Sequence, residues 1–291
     1  MSPEPPPAHV PEGSDVPAGR DAIEAIEIEL LLEGVFRRYG YDFRGYAAAS
    51  MRRRVLAVAA AEKLTTVSAL AGRLLHDPDA FERFLIGVTV HTTEMFRDPG
   101  FFHALRAKVL PHLRTYAFAR IWIAGCSSGE ELYSLAILCE EEGLAERCRI
   151  YATDLSEAVL ARARGGIYPL SVMRAYTKNY QKAGGARDFS EYYHAHEGAA
   201  RFAERLREHV VFAPHNLATD GSFNEFQLVL CRNVMIYFKR ALQERALKLL
   251  DDSLPRLGVL ALGRSESLRF TPLEPRYEAL DERERIYRRA S

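Results

Sequence analysis

The residues best suited to chemistry lie in a short glycine loop and in the acidic positions around it. Gly125 and Gly129 bracket three small residues, Glu130 and Glu131 follow at once, and Asp154 ends the next apolar segment. A tight glycine turn lets a ligand approach the backbone, and an acidic residue about 20–25 positions later can accept hydrogen bonds from ribose hydroxyls. The pattern predicts a nucleotide-type ligand.

The two glutamates narrow the choice of ligand. Carboxylates at the start of a helix repel phosphate and favour a cationic group, which argues against a dinucleotide such as NAD. S-adenosylmethionine fits better, because it has a ribose, an ammonium and a sulfonium but no phosphate. The alternative is an ordinary turn with acidic residues in the following helix, since G-x-x-x-G alone is a weak signal.

A strand, a helix and a second strand must position these groups. The apolar run 121–124 suits a buried parallel strand. The helix beginning at Glu130 carries apolar residues at helical spacing and stops near Gly143. The second strand, 149–153, ends on Asp154. We therefore expect half of a nucleotide-type βαβ unit.

Two later strands also end in polar residues. The strand 210–212 leads to Asn216, and the strand 226–230 leads to Arg232 and Asn233. Ligands of open α/β sheets bind at the carboxyl ends of the strands. Four polar strand ends, the glycine loop and Asp154 included, therefore predict a single cleft.

The N-terminal part, 21–88, is predicted to be helical, with helices near 23–38 and 46–63 and a third that starts at Asp77-Pro78. Arg52, Arg53 and Arg54 follow one another on the second helix. They are either a solvated helix face or a docking patch for an acidic partner.

The segment 89–115 is predicted to be an ordered linker and a helix that lie over the cleft. His91, Thr93 and Arg97 crowd polar groups ahead of a second cap-plus-proline pair, Asp98-Pro99. The alternative is that His91 and Thr93 are only local caps.

The remaining segments complete the expected organisation. Residues 1–20 read as a disordered tail. Residues 167–208 are rich in tyrosine and charge without a clear period, which indicates an insertion or a small subdomain, and 116–291 forms the domain that contains it. The strands 267–273 and 284–289 are expected to close the sheet as an antiparallel pair.

Composition excludes several classes of protein. The 291 residues are 48% apolar and carry no net charge, so bulk attraction to nucleic acid is not indicated. The four cysteines show no metal-ligand or disulfide spacing. No apolar run reaches the roughly 18 residues of a membrane span, and no signal peptide is present. These features predict a soluble, cytoplasmic protein without a metal site.

Five motifs, in order, resemble the chemotaxis receptor methyltransferases of the CheR type. They are T-E-M-F-R-D-P (93–99), A-G-C-S-S-G-E-E (124–131), Y-A-T-D (151–154), H-N-L (215–217) and C-R-N-V-M-I-Y-F (231–238). The resemblance covers about residues 25–290. It implies an α/β fold: a Rossmann-like, seven-stranded class I methyltransferase sheet with an N-terminal all-α domain and a small inserted β-subdomain.

The resemblance also implies a cofactor and its contacts. The cofactor is S-adenosylmethionine, and the family's contacts fall on the following positions: His91, Thr93, Arg97, Glu130, Asp154, Asn216, Leu217, Arg232 and Asn233. His91 departs from the family, which usually has Asn there, so its proton state makes that corner pH-dependent. Met95 replaces a common Phe. The family's basic helix matches 52–54, which favours docking over a solvated face.

The family's reaction moves a methyl group to a glutamate carboxylate of a receptor. Such a carboxylate is ionised at neutral pH, with a pKa of about 4.3, so no general base is needed. Catalysis is expected to depend on aligning the carboxylate oxygen with the methyl group and the sulfur, and on desolvating the carboxylate. Arg97 is expected to reach the cofactor's carboxylate or the acceptor's, and Tyr237 to contact the acceptor or else only to pack. The expected partner is the cytoplasmic helical region of a chemoreceptor-type protein. The chain itself is expected to be a monomer.

Three alternatives stay open. The same chemistry could act on a signalling protein outside chemotaxis. The chain could instead be a scaffold that binds the cofactor without turnover. His91 is the one residue that favours this alternative. An NAD-dependent dehydrogenase is more distant, because Glu130 and Glu131 oppose it.

Overall fold

The computed structural model describes residues 19–89 and 93–290. Within those ranges the chain forms an N-terminal group of helices, a seven-stranded sheet with helices around it, and a separate three-stranded sheet. Most of the predicted tail, and His91, lie outside the described residues. None of the helices in these ranges is long and apolar enough to cross a bilayer.

The N-terminal helices are α1 (Arg20–Tyr39), α2 (Ala48–Ala61), α3 (Val67–His76) and α4 (Pro78–Val88). Gly40 ends α1 in the left-handed conformation, and the Asp77 side chain caps α4, the latter as predicted. Helix α3 was missed. Its signals were a capping residue, Thr66, and buried Val67, Leu70 and Leu74 at helical spacing.

Beyond the linker the chain runs through α5 (Pro99–Ala104), a π-helical turn (Leu105–Val109) and α6 (Leu110–Leu113). Pro99 starts α5 as expected, but Asp98 does not cap it. The Asp98 carboxylate accepts a hydrogen bond from Arg232 and also pairs with Arg264. The predicted cap is therefore wrong, because the two guanidinium groups hold the carboxylate.

The main sheet has the strand order β6-β2-β1-β7-β8-β10-β9. Its strands are β1 (Ala119–Ala124), β2 (Cys148–Asp154), β6 (Val210–Pro214), β7 (Leu228–Cys231), β8 (Val259–Leu262), β9 (Tyr277–Asp281) and β10 (Ile286–Arg289). The first five run parallel, and β10 runs antiparallel to β8 and β9. This is the predicted Rossmann-like sheet.

Helices cover both faces of this sheet. They are α7 (Glu130–Glu141), α8 (Glu157–Gly165) and α10 (Arg240–Asp252). Successive β1 side chains enter different cores: Ile121 and Ile123 belong to one, Trp122 and Ala124 to the other. This alternation explains why β1 reads as a continuous apolar run, because a parallel strand is buried on both faces.

The insertion is a small subdomain. It contains β3 (Ile167–Pro169), α9 (Leu170–Lys182), β4 (Tyr193–His196) and β5 (Ala199–Phe202), with the antiparallel order β3-β5-β4. Its aromatic side chains join the core shared with α5 and α7. The subdomain therefore packs against the main sheet's helices.

The predicted strand 267–273 is wrong. This segment folds into consecutive turns, with Thr271 N–H bonded to Leu268 C=O and Phe270 at a φ of 62°. A strand cannot contain that left-handed residue. The partner of β10 at the sheet edge is β9, a few residues further along.

Candidate functional site

A cleft opens where four parallel strands end side by side. The space between its walls is about 930 Å³ when the solvent at its open mouth is included. Eight of the residues predicted to contact the cofactor or the acceptor carboxylate line it: Thr93, Arg97, Asp154, Asn216, Leu217, Arg232, Asn233 and Tyr237. His91, also predicted there, lies outside the part of the chain that the structure describes.

The glycine loop forms the floor of the cleft. Gly125, Ser127 and Gly129 have φ values of 81°, 51° and 96°. A Cβ atom at Gly125 would lie 2.5 Å from Val234 Cγ2, which is too close. Glycine is therefore required there for its backbone conformation and for its lack of a side chain.

Asp154 is held by the loop that it faces. Its Oδ2 accepts a hydrogen bond from Ser127 N–H at 2.8 Å, and its Oδ1 accepts one from Ser156 N–H at 3.3 Å. The carboxylate lies on the cleft at the end of β2. A fixed acceptor at this place suits a pair of ribose hydroxyls.

The two glutamates of the loop have opposite surroundings. Glu131 lines the cleft, and its Oε2 accepts a hydrogen bond from Arg232 at 2.6 Å. Glu130 does not line the cleft: it accepts from Ser128 Oγ at 2.7 Å and from Tyr176 Oη at 3.5 Å. Burial raises the pKa of Glu130. The structure thus brings Glu131 to the cleft where Glu130 was predicted, because successive helical residues point about 100° apart.

Arg232 connects the linker to the sheet. Its side chain is 1% exposed and donates to Glu131 and to Asp98 Oδ2, the latter at 2.8 Å. The guanidinium also lies 3.8 Å from the centre of the Phe101 ring. A buried arginine between two carboxylates fixes the orientation of both, so Arg232 sets the position of Glu131 on the cleft wall.

Glu266 supports the site, and sequence reasoning missed it. Its carboxylate is 5% exposed and accepts hydrogen bonds from four backbone N–H groups, those of Asn233, Val234, Met235 and Gly263. Burial raises the pKa of Glu266 despite these bonds. The carboxylate thereby holds Asn233 at a φ of 60°. No local sequence motif indicates this role, because three of the four donors lie about thirty residues earlier in the chain.

The N-terminal helical region supplies another wall. Tyr46 pairs with Phe238 as an isolated antiparallel bridge, Ala47 N–H donates to Tyr237 C=O at 2.8 Å, and Lys239 N–H donates to Gly45 C=O at 2.7 Å. These contacts bring Tyr46 and the start of α2 to the cleft.

Arg54 lies in this wall, not on an exposed patch. It is 8% exposed, its Nη1 donates to Val88 C=O at 2.7 Å, and its Nη2 donates to Ser50 Oγ at 2.9 Å. Its guanidinium lies 4.6 Å from the centre of the Tyr237 ring. Burial lowers the pKa of Arg54. Within 19–89 and 93–290 it makes no ion pair with a carboxylate.

The other two arginines of the predicted docking patch point elsewhere. Arg52 and Arg53 are both exposed, but Arg52 pairs with Glu24 Oε1 at 2.5 Å and with Asp21 Oδ1 at 3.0 Å. The prediction that 52–54 form one exposed cationic surface is therefore wrong. The helix turns Arg54 inward and α1 neutralises Arg52.

Among residues 19–89 and 93–290, no group of three or more His, Cys, Asp or Glu side chains is arranged to hold a metal ion. All four cysteines are buried and free.

Comparison with known proteins matches both parts of the chain to family models. Residues 26–89 match the CheR methyltransferase all-alpha domain, and residues 91–281 match the CheR methyltransferase SAM-binding domain. A Pseudomonas putida protein that carries the name Cher3 is 51% identical over 265 residues, 91% of this chain and 97% of that protein.

Two relatives carry the name chemotaxis protein methyltransferase. That of Listeria monocytogenes is 32% identical over 80% of this chain and 87% of its own length. That of Escherichia coli is 33% identical over 68% of this chain and 67% of its own length.

Proposed function

Because the chain belongs to the CheR methyltransferase family and carries its S-adenosylmethionine-binding domain, we propose that it methylates glutamate side chains of a chemoreceptor-type protein. The products are glutamate methyl esters and S-adenosylhomocysteine. The acceptor is the cytoplasmic helical region of that receptor. The observation that carries the proposal is a cleft with acidic groups at one wall and a buried cation, Arg54, at another.

The acidic wall suits the cofactor. Asp154 would accept hydrogen bonds from its ribose hydroxyls, and Glu131 would face its ammonium group. Both carboxylates are fixed before any ligand arrives, Asp154 by backbone N–H groups and Glu131 by Arg232. Preorganised acceptors lose little freedom when the ligand binds.

The rest of the cofactor would contact residues of the neighbouring loops. Asn216 and Leu217 follow β6 and would line the adenine and ribose end of the cofactor. Asn233 follows β7 and would line its amino-acid end. Thr93 and Arg97 approach the same cleft from the linker. When bound, the cofactor supplies an electrophilic methyl group on a sulfonium.

The cationic wall suits the acceptor. Arg54 lines the same cleft, forms no ion pair with a carboxylate of residues 19–89 and 93–290, and has the Tyr237 ring against its guanidinium. A guanidinium in a buried site strongly favours a carboxylate partner. We infer that Arg54 attracts the acceptor glutamate, and that Arg97 and Tyr237 contact it beside the methyl group.

No proton has to be removed in this reaction. A glutamate carboxylate is already an anion at neutral pH, and its oxygen displaces the sulfur from the methyl carbon. The chain's own contribution is to align the oxygen with the carbon–sulfur bond and to exclude water.

The test is methyl transfer from labelled S-adenosylmethionine to cytoplasmic fragments of the chemoreceptors from the same organism. The expected product is an ester that releases labelled methanol in base and that disappears when the target glutamates are changed to alanine. Transfer only to other signalling proteins would contradict the receptor assignment. Cofactor binding without transfer to any acceptor would contradict turnover.

A further inference from the structure

The inserted subdomain contacts the glycine loop directly. Tyr168 on β3 is 5% exposed, and its hydroxyl donates to Ser128 C=O at 2.8 Å. Tyr176 on α9 donates to Glu130 Oε1, and Ser128 Oγ donates to Glu130 Oε2. Both tyrosines therefore hold the residues that follow Ser127, whose N–H is bonded to Asp154.

The same subdomain also holds the linker. Asn179 Nδ2 donates to Met95 C=O at 3.1 Å. The Phe96 ring is buried and lies 5.2 Å from the Tyr180 ring, and Phe96 N–H donates to Ser134 Oγ at 2.8 Å. The linker is thus fixed between α9 and α7 at the point from which Arg97 enters the cleft.

Both held segments have unfavourable backbone conformations. Ser127 and Phe96 have φ values of 51° and 52°, which are costly for residues other than glycine. Such conformations persist only where the surroundings enforce them. Burial raises the pKa of Tyr168, so its hydroxyl stays protonated and remains a donor.

We propose that Tyr168 and Asn179 are positioning residues for the cofactor, and that the inserted subdomain controls cofactor affinity through them. The inference rests on the proposed function only in taking the cleft as the S-adenosylmethionine site. It assigns this subdomain an effect on the cofactor that is independent of any contact with the acceptor protein.

The experiment compares three variants of the full chain: Tyr168→Phe, Asn179→Ala and a control, Tyr192→Phe. Tyr192 belongs to the same subdomain, is fully buried, and donates at 2.9 Å to Glu141, a residue of α7 that belongs neither to the glycine loop nor to the linker. The dissociation constant of S-adenosylhomocysteine is measured by calorimetry, and Tm is measured without ligand.

The first two variants should each weaken binding about three- to tenfold, the ratio that one neutral hydrogen bond provides. The control should change binding by less than about twofold while lowering Tm as much as Tyr168→Phe does. This split separates positioning from a general loss of stability.

Unchanged binding in Tyr168→Phe and Asn179→Ala would overturn the inference. The assignment of the cleft as the cofactor site would stand in that case, provided that the wild type binds S-adenosylhomocysteine. An equal loss of affinity in Tyr192→Phe would overturn it as well, because the effect would then follow stability. Absence of binding in the wild type would instead contradict the proposed function.

Discussion

The acidic wall of the cleft, which we propose for the cofactor and call the cofactor wall, and the cationic wall, which we propose for the acceptor and call the acceptor wall, are built in different ways. Most residues of the cofactor wall lie at or just after the ends of strands β1, β2, β6 and β7, so the sheet order brings them together. Glu131 stands on α7, and Thr93 comes from the linker. The acceptor wall consists of Tyr46 and Arg54 from the helical region and Tyr237 from the loop after β7. These come together only through contacts between distant segments, such as the bridge from Tyr46 to Phe238.

The difference separates positions that a sequence pattern specifies from positions that it does not. A residue at the carboxyl end of a strand in a parallel sheet lies at the edge where ligands bind. A residue on a helix surface is exposed or buried according to what packs there. Arg52, Arg53 and Arg54 are consecutive, yet one is paired with α1, one is exposed and one faces the cleft.

The largest effect is expected at the cofactor wall. Asp154→Ala removes the acceptor for the ribose and the partner of Ser127 N–H. S-adenosylmethionine should bind about 10- to 150-fold more weakly, which corresponds to about 1.5–3 kcal/mol for a charged hydrogen bond. Calorimetry would check this, with the exposed Glu157→Ala as the matched control. Equal affinities for the variant and the wild type would remove Asp154 from the site.

A substitution in the acceptor wall should change the KM for the acceptor and not the affinity for the cofactor. Arg54→Met keeps the length of the side chain but removes the cation, so the KM for the acceptor should rise about tenfold or more. The dissociation constant of the cofactor should stay within about twofold. Arg54→Lys should restore part of the lost affinity. A rise in cofactor dissociation constant without a change in acceptor KM would place Arg54 on the cofactor wall instead.

The neighbouring glutamates provide a smaller test within one helical turn. Glu131→Gln should weaken cofactor binding about fivefold to tenfold, because a charged partner for the ammonium is lost. Glu130→Gln should cost less than about threefold, since Glu130 contacts Ser128 and Tyr176 and not the cleft. Titrations with S-adenosylmethionine at one salt concentration decide between them. A larger loss in Glu130→Gln would restore the prediction made from sequence.

The smallest effect is expected at the exposed Arg53. Arg53→Glu should change the free energy of unfolding by no more than about 0.5 kcal/mol. It should raise the KM for the acceptor only modestly and reduce its dependence on salt. Kinetics at two salt concentrations check this. An effect as large as that of Arg54→Met would indicate that surface charge governs docking.

The pH test of His91 stays a prediction. If its ring contacts the cofactor, binding should vary between about pH 5.5 and 7.5, the range in which a free imidazole titrates. The variant His91→Asn should show a flatter profile with retained activity. Identical profiles would mean that His91 has a local role.

The sequence by itself determined the α/β class, the strand–loop–helix–strand around Gly125 and the position of Asp154. Local physics suffices there, because glycine conformation, apolar runs and strand ends constrain the chain over a few residues. It also contained the signals of α3, which were overlooked. The order of the strands and the packing of helices follow from contacts over long separations.

Only the tertiary structure decided which charged side chains are available to a ligand. It turned Glu131 and not Glu130 toward the cleft, buried Arg54, and neutralised Arg52 with Glu24. It also placed Glu266 beneath the loop after β7 and Tyr168 against the glycine loop. The physical reason is that the availability of a charge depends on its burial and on its partners, and decisive partners such as Glu24 for Arg52 and Arg232 for Glu131 lie 28 and 101 residues away along the chain.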